Sequence, residues 1–260
     1  LRPGEGASTR NGGITSGNLR LGYAELKRRF GEERGTQMLL EGKEARQDLY
    51  RFIESEGIDC DFKLVGRFAG AIVDSEYEAL ARDADDLRRL FGIEAHAVAP
   101  GEVSGFLGTG FYRGGNVRMD IGGLHPGKLH AEMLRLVLEA GVPVHGETAV
   151  TSIEPDGAGC VVKAGGATIR ARDVIVCTNG YADGLDPWLR RRIVPVRSRI
   201  VATAELPSET MARLMPRLMM CSDTRKLSYY YRPSPDGKRI LFGGRDGTTA
   251  GDPGWPTEHL

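Results

Sequence analysis

The sequence predicts a mixed α/β fold, and three observations predict it. A strongly amphipathic helix near 126–140 runs directly into a series of short β-type segments. Four further segments, near 64–73, 110–118, 194–204 and 227–244, are apolar and bounded by Gly and Pro, as strands are. The chain opens on a Gly-, Ser-, Thr- and Asn-rich loop over residues 4 to 18, able to present main-chain N–H groups to a ligand.

In chain order, residues 23 to 56 predict one long helix, because Leu26, Phe30, Met38, Leu39, Ala45, Leu49, Phe52 and Ile53 recur near the helical period. Gly57 is its expected stop. Phe62 to Val73 predicts a strand with bends at Gly66 and Gly70. Ser75, three residues before Glu78, predicts a capped helix running to about Leu90. Phe111 to Met119 predicts a strand. Pro126 suits a first helical position, Leu129, Met133, Leu136, Val137 and Ala140 share one face, and Gly141 closes that helix. A three-stranded meander follows, built from 149–153, 160–163 and 168–170 around Gly165-Gly166. Val174-Ile175-Val176-Cys177 is all apolar and predicts a strand buried on both faces. Ile193 to Ala204 predicts a long strand. Ser208 to Met220 predicts a helix interrupted by Pro216, and the segments either side of Pro233-Ser234-Pro235-Asp236-Gly237-Lys238 predict a hairpin.

The composition excludes several classes. The 260 residues are 40% hydrophobic, enough for a sizeable core in one large domain or two interleaved ones. Lys+Arg and Asp+Glu are 35 each, so no net charge points to nucleic acid. The four cysteines, Cys60, Cys160, Cys177 and Cys221, have no C-x-x-C spacing, and the five histidines form no metal pattern. No apolar run approaches the ~20 residues that span a bilayer, and no signal peptide is visible. A cytoplasmic protein with reduced thiols and no metal is expected.

Two segments carry the chemistry. In Ser8-Thr9-Arg10-Asn11-Gly12-Gly13, small residues let a flat ring or a pyrophosphate approach, main-chain amides can hold phosphate oxygens, and Arg10 adds positive charge. Thr178-Asn179-Gly180 follows the apolar run, where open α/β sheets bind ligands beyond their strand ends. No G-x-G-x-x-G stands in a dinucleotide-binding position.

Gly6 to Gly13, Leu124-His125-Pro126-Gly127-Lys128-Leu129, Val176-Cys177-Thr178-Asn179-Gly180-Tyr181, and Tyr231 to Gly237 with Leu241-Phe242-Gly243-Gly244 together resemble the FAD-dependent D-amino-acid oxidase-like family. The resemblance is strongest to its bacterial glycine/D-amino acid oxidase and gamma-glutamylputrescine oxidoreductase group. It implies an FAD/NAD(P)-binding Rossmann-like domain interleaved with a substrate domain on a mixed, largely antiparallel sheet. The implied parts are 1–60 and 120–188 for FAD, and 61–119 and 189–260 for substrate. It further implies that FAD is held by Ser8, Arg10, Asn11, Gly12, Gly13, Val150 (beside the adenine), Thr178, Asn179 and Gly180. The family's G-x-G-x-x-G turn would precede Leu1 and its last flavin segment would follow Leu260, so a fragment with weakened FAD binding is expected.

Flavin amine oxidation asks the protein for orientation and dryness, and no nucleophilic triad is needed. The expected reaction is oxidation of the C–N bond of an amine or amino acid, followed by imine hydrolysis. Alternatives are a sarcosine-type demethylating flavoenzyme and a truncated non-catalytic member. Substrate carboxylates call for Arg and Tyr. Tyr229, Tyr230, Tyr231, Arg232 and Arg245 are the candidates; alternation puts Tyr229 and Tyr231 on one strand face and Tyr230 on the other, and either face could meet the flavin. Cys177 reads as a small core residue and His125 as a cap or packing residue.

Overall fold

The computed structural model describes residues 2–16, 19, 21–181, 185–194 and 196–247. After the loop of residues 2–13 come β1 (Ile14–Thr15), α1 (Tyr23–Phe30), α2 (Glu32–Ser55), β2 (Arg67–Gly70), α3 (Asp74–Phe91) and β3 (Ala95–Val98). A 3-10 turn at Pro100–Gly105 leads to β4 (Gly115–Arg118), β5 (Gly122–Gly123) and α4 (Pro126–Glu139). Then follow β6 (Val150–Asp156), β7 (Gly159–Ala164), β8 (Ala167–Ala171), α5 (Pro187–Arg190), β9 (Arg197–Ala202), α6 (Ser208–Leu214), β10 (Met220–Asp223), β11 (Tyr230–Pro233) and β12 (Ile240–Gly247).

The expected mixed α/β fold is present. Seven strands form one sheet in the order β3-β4-β2-β10-β11-β12-β9, in which only the β2–β10 pairing is parallel. β6, β7 and β8 form the expected meander, and β1 pairs with β5 in a small ribbon.

Alternation along the strands gives the large sheet two different faces. One carries Phe68, Val117, Cys221, Tyr231 and Phe242, packed with Phe106, Leu107, Met211 and Met215 into the main core. The other carries Arg67, Asn116, Arg118, Met220, Tyr230 and Arg232, and meets α2, α3 and the β1–β5 ribbon. Two smaller clusters complete the core. Tyr23, Leu87 and Phe91 join α1 to α3, and Ile53, Ile58, Cys60 and Leu124 anchor the end of α2 beneath the start of α4.

Several expected elements are altered. The single helix over 23–56 is two helices, broken at Gly31, whose φ of 82° leaves the helical region. The capping box expected at Ser75 and Glu78 sits two residues earlier: Glu76 accepts from the N–H groups of Ile72 and Val73. Pro216 ends the helix expected over 208–220, and the last residues of that stretch start β10, a central strand. The strands expected at Phe62–Val73, Phe111–Met119 and Ile193–Ala204 shorten to β2, β4 and β9. The buried strand at Val174–Cys177 is absent. The segment takes no regular secondary structure and pairs with no strand among the described residues, and Ile175 is 85% exposed. An apolar run becomes a buried strand only where another strand offers a ladder and helices cover its faces. Cys177 is therefore exposed rather than a core residue.

Candidate functional site

The opening loop is set by its own sequence. The Asn11 amide donates to the carbonyls of Ala7 (3.1 Å) and Ser8 (2.9 Å), and its oxygen accepts from the Gly13 N–H (2.9 Å). Thr9 Oγ1 donates to the Gly4 carbonyl at 2.5 Å. These local bonds hold the turn and leave the main-chain N–H groups of Ser8, Thr9, Asn11 and Gly12 without a protein acceptor among the described residues. Ser8, Arg10 and Asn11 are exposed.

A network beneath the loop fixes where it lies. Tyr50 Oη is 2.7 Å from Thr15 Oγ1, which accepts from the Gly122 N–H at 3.0 Å. The Arg46 guanidinium donates to the Ser16 carbonyl at 2.7 Å and pairs with Asp120, which also takes both arms of Arg118. Through these contacts α2, β4 and β5 hold β1 in place, and β1 fixes Gly12 and Gly13 against the large sheet.

At that meeting point glycine is required. A Cβ on Gly13, whose φ is 62°, would stand 2.2 Å from the Leu124 carbonyl oxygen and 3.0 Å from Arg232 Nη2. A Cβ on Gly12 would stand 2.8 Å from the Tyr230 ring. A Cβ on Gly123 would stand equally close to Arg232 Nη1, at 3.0 Å. Arg232 is therefore wedged between the opening loop and β5, 4% exposed. Its Nε is buried without a partner, and its side chain makes no hydrogen bond or ion pair among the described residues. Burial pulls its pKa down from the ordinary arginine value, although a guanidinium stays charged at neutral pH. A buried cation without a partner costs several kcal/mol, so this arrangement is poised for an anion.

Other sequence-derived candidates fall elsewhere. Tyr229 and Tyr231 lie on the opposite face of the sheet from Gly13, where Tyr231 Oη is 2.7 Å from Tyr112 Oη. Arg245 belongs to β12, and its side chain lies outside the described residues. Val150 starts β6 at a register shift against β7. Thr178, Asn179 and Gly180 form an exposed turn in which Asn179 takes a φ of 53° and bonds the Gly180 N–H. The hydrogen bonds of that turn are local, and none joins it to the opening loop among the described residues. His125 caps α4, its ring accepting from the Lys128 N–H at 3.2 Å.

Sequence alternation separated Tyr230 from Tyr229 and Tyr231 without saying which face meets the opening loop; the structure places Tyr230 against Gly12. Choosing Arg232 for the ligand side selects Tyr230, two residues away, and excludes Tyr229 and Tyr231. Tyr112, Asp223 and Arg225, which gather around Tyr231 and Tyr229, carried no motif in the sequence.

Comparison with known proteins supports the fold and the family. The chain is 28% identical over 264 residues to a probable oxidoreductase OrdL of Rhizobium meliloti, covering 100% of this chain and 60% of that protein. It is 27% identical over 251 residues to the gamma-glutamylputrescine oxidoreductase of Escherichia coli, covering 94% of this chain and 57% of that protein. The chain thus spans about three fifths of the length of these curated relatives. The crystal structure of glycine oxidase from Geobacillus kaustophilus superposes with a TM-score of 0.69 at 19% identity, over 95% of this chain and 64% of that one, and shares the fold. No helix among the described residues is long and apolar enough to cross a membrane, and no group of acidic, His and Cys side chains there could hold a metal. The profile of the FAD dependent oxidoreductase (DAO) family matches residues 1–259, and the chain belongs to that family, whose cofactor is FAD.

Proposed function

We propose that this chain is the greater part of a cytoplasmic FAD-dependent oxidoreductase that oxidises the C–N bond of an amine or amino acid carrying a carboxylate. One observation carries the reading: Arg232, a buried guanidinium with no hydrogen-bond or ion-pair partner among the described residues, stands on the sheet face that meets Gly12 and Gly13.

The residues present suit the cofactor. The N–H groups at Ser8, Thr9, Asn11 and Gly12, which have no acceptor among the described residues, are donors for phosphate or ring oxygens, and Arg10 supplies charge beside them. In this reading Val150 and the Thr178-Asn179-Gly180 turn complete the FAD contacts. Bound FAD supplies the acceptor for a hydride from the carbon bearing the nitrogen.

The protein's part is orientation. Arg232 takes the substrate carboxylate through two parallel N–H bonds, which fixes the α-carbon relative to the opening loop. Tyr230, beside it, closes one side of that space. The surrounding Gly12, Gly13 and Gly123 let the substrate lie close to main chain and exclude water. Tyr229 and Tyr231, facing the other way, have no part in this step.

The test is steady-state kinetics of Arg232→Met in the intact protein. For a carboxylate-bearing substrate, kcat/KM should fall by about 100-fold or more, the scale of a lost buried charged hydrogen-bonding pair. For the same amine without its carboxylate, the change should be under about threefold. Equal losses on both substrates would remove Arg232 from carboxylate recognition.

A further inference from the structure

The sheet face turned away from Gly13 has a cavity of its own, of about 400 Å³, whose walls include Phe111, Tyr112, Arg225, Tyr229, Tyr231 and Phe242. Its size falls in the range of small-molecule sites. Five aromatic rings share its walls with the aliphatic side chains of Leu107, Leu214, Met215 and Ile240. Tyr231 and Phe242 stack with ring centres 5.5 Å apart and 13° between planes, and Tyr229 lies 5.3 Å from Phe242. Phe111 closes onto Tyr112 edge-on at 5.3 Å. The clustered rings offer faces and edges on which a flat ring can pack.

Two polar features are aimed into this apolar space. Tyr112 and Tyr231 share one hydrogen bond of 2.7 Å between their hydroxyls. Two hydroxyls carry two protons and this bond uses one, so a second O–H is left without an acceptor among the described residues. Burial pushes both tyrosine pKa values up, so both protons stay on at neutral pH. At the mouth stands Arg225, 4.7 Å above the Tyr229 ring and 5.1 Å from that of Phe111. One of its nitrogens is paired to the buried carboxylate of Asp223. Asp223 also accepts from the N–H groups of Arg225 (3.2 Å) and Tyr229 (3.1 Å), so its charge is shared among three donors. The other guanidinium N–H groups of Arg225 make no hydrogen bond among the described residues.

We propose that this cavity is a second binding site, separate from the Gly13–Arg232 face, for a small aromatic carboxylate. The ring lies between Phe111, Tyr229 and Phe242, the carboxylate takes the remaining donors of Arg225, and an acceptor at the far end of the ring takes the spare hydroxyl proton of the Tyr112–Tyr231 pair. The site rests on the far face alone and does not depend on the reaction proposed for the near one.

Methionine methyl groups separate the two faces. Met215 lines this cavity, whereas Met220 packs against Gly123 on the other side of the sheet. The intact protein carrying ¹³C-methyl methionine is titrated with 4-hydroxyphenylacetate and, separately, with tyramine, which keeps the ring and replaces the anion with a cation. The expected result is a saturable shift of the Met215 methyl with 4-hydroxyphenylacetate at millimolar concentration or below, with Met220 unmoved. Tyramine should bind at least tenfold more weakly. Arg225→Gln should weaken the carboxylate about tenfold. An unmoved Met215, a response at Met220 instead, equal binding of tyramine, or an unchanged affinity in a folded Arg225→Gln protein would each overturn the proposal.

Discussion

The seven-stranded sheet and the stretch from α4 to Tyr181 both carry well-formed apolar patterns, yet they bury them very differently. In the sheet, Phe68 and Cys221 are fully buried and Val117 nearly so, because helices, turns and neighbouring strands cover both faces. Across α4 no side chain is buried: Met133, Val137 and Leu138 are 45%, 38% and 54% exposed. In the meander only Val162 and Ala164 are buried. Amphipathicity states which face an element would bury, while burial needs a second layer. The described residues supply that layer for the sheet and do not supply it for α4 and the run at Val174–Cys177.

The largest effect that would break this contrast is in the core. Phe68→Ala should cost about 3–5 kcal/mol in denaturant unfolding of the chain, since it opens a cavity against Phe106 and Tyr112. Val137→Ala on α4 should change stability by less than about 0.5 kcal/mol. Comparable losses would mean that the α4 face is covered in solution.

Glycine sharpens the same point at smaller scale. Gly13 and Gly141 both have positive φ, 62° and 75°. A Cβ on Gly13 meets the Leu124 carbonyl, whereas one on Gly141 meets open space. Gly13→Ala should cost about 3 kcal/mol and lower FAD uptake, and Gly141→Ala about 1 kcal/mol with uptake unchanged. Equal costs would show that φ alone, and not the packing of loop on sheet, sets the penalty.

Thiol chemistry reports the contrast directly. Cys177 is exposed and should react with a disulfide reagent at the rate of a small free thiol. Cys221 is buried, and burial pushes its pKa up to about 12. Its thiolate is scarce at neutral pH, so labelling should await unfolding. Rapid labelling of Cys221 in native protein would contradict the close packing of the sheet.

The smallest effect lies on α1. Arg28 and then Arg29 hold the Glu25 carboxyl down at about 2, against an ordinary value of 4.5. A carboxyl with a depressed folded pKa stabilises above its unfolded value and loses that contribution as pH falls. Glu25→Gln should therefore lower the melting temperature slightly at pH 7, with the difference shrinking between pH 4.5 and 2. A difference that grows on acidification would reverse the assignment.

What was legible in the sequence follows the same division. The helix from Pro126, its histidine cap, the meander and the Pro- and Gly-turned hairpin were readable because their signals are local. β3 and β10 were not, since four-residue strands have too little pattern and take their conformation from neighbours. The strand expected at Val174–Cys177 failed for the converse reason: its local pattern was strong, and no strand among the described residues pairs with it. At the site, Gly12, Gly13 and Arg232 were chosen from sequence and meet in space. Tyr229 and Tyr231 were chosen with them and point the other way, because alternation along one strand separates neighbours that composition groups together.

The most direct test of the cofactor and substrate face is a visible spectrum of the intact protein, wild type and Arg232→Met, with FAD. It is recorded before and after anaerobic addition of a panel of amines and amino acids. The expected result is a flavin spectrum in both, bleached in the wild type by a carboxylate-bearing amine and bleached at least 100-fold more slowly in the variant. A colourless wild-type protein that takes up no FAD, or bleaching at the same rate in both, would contradict the assignment of this face.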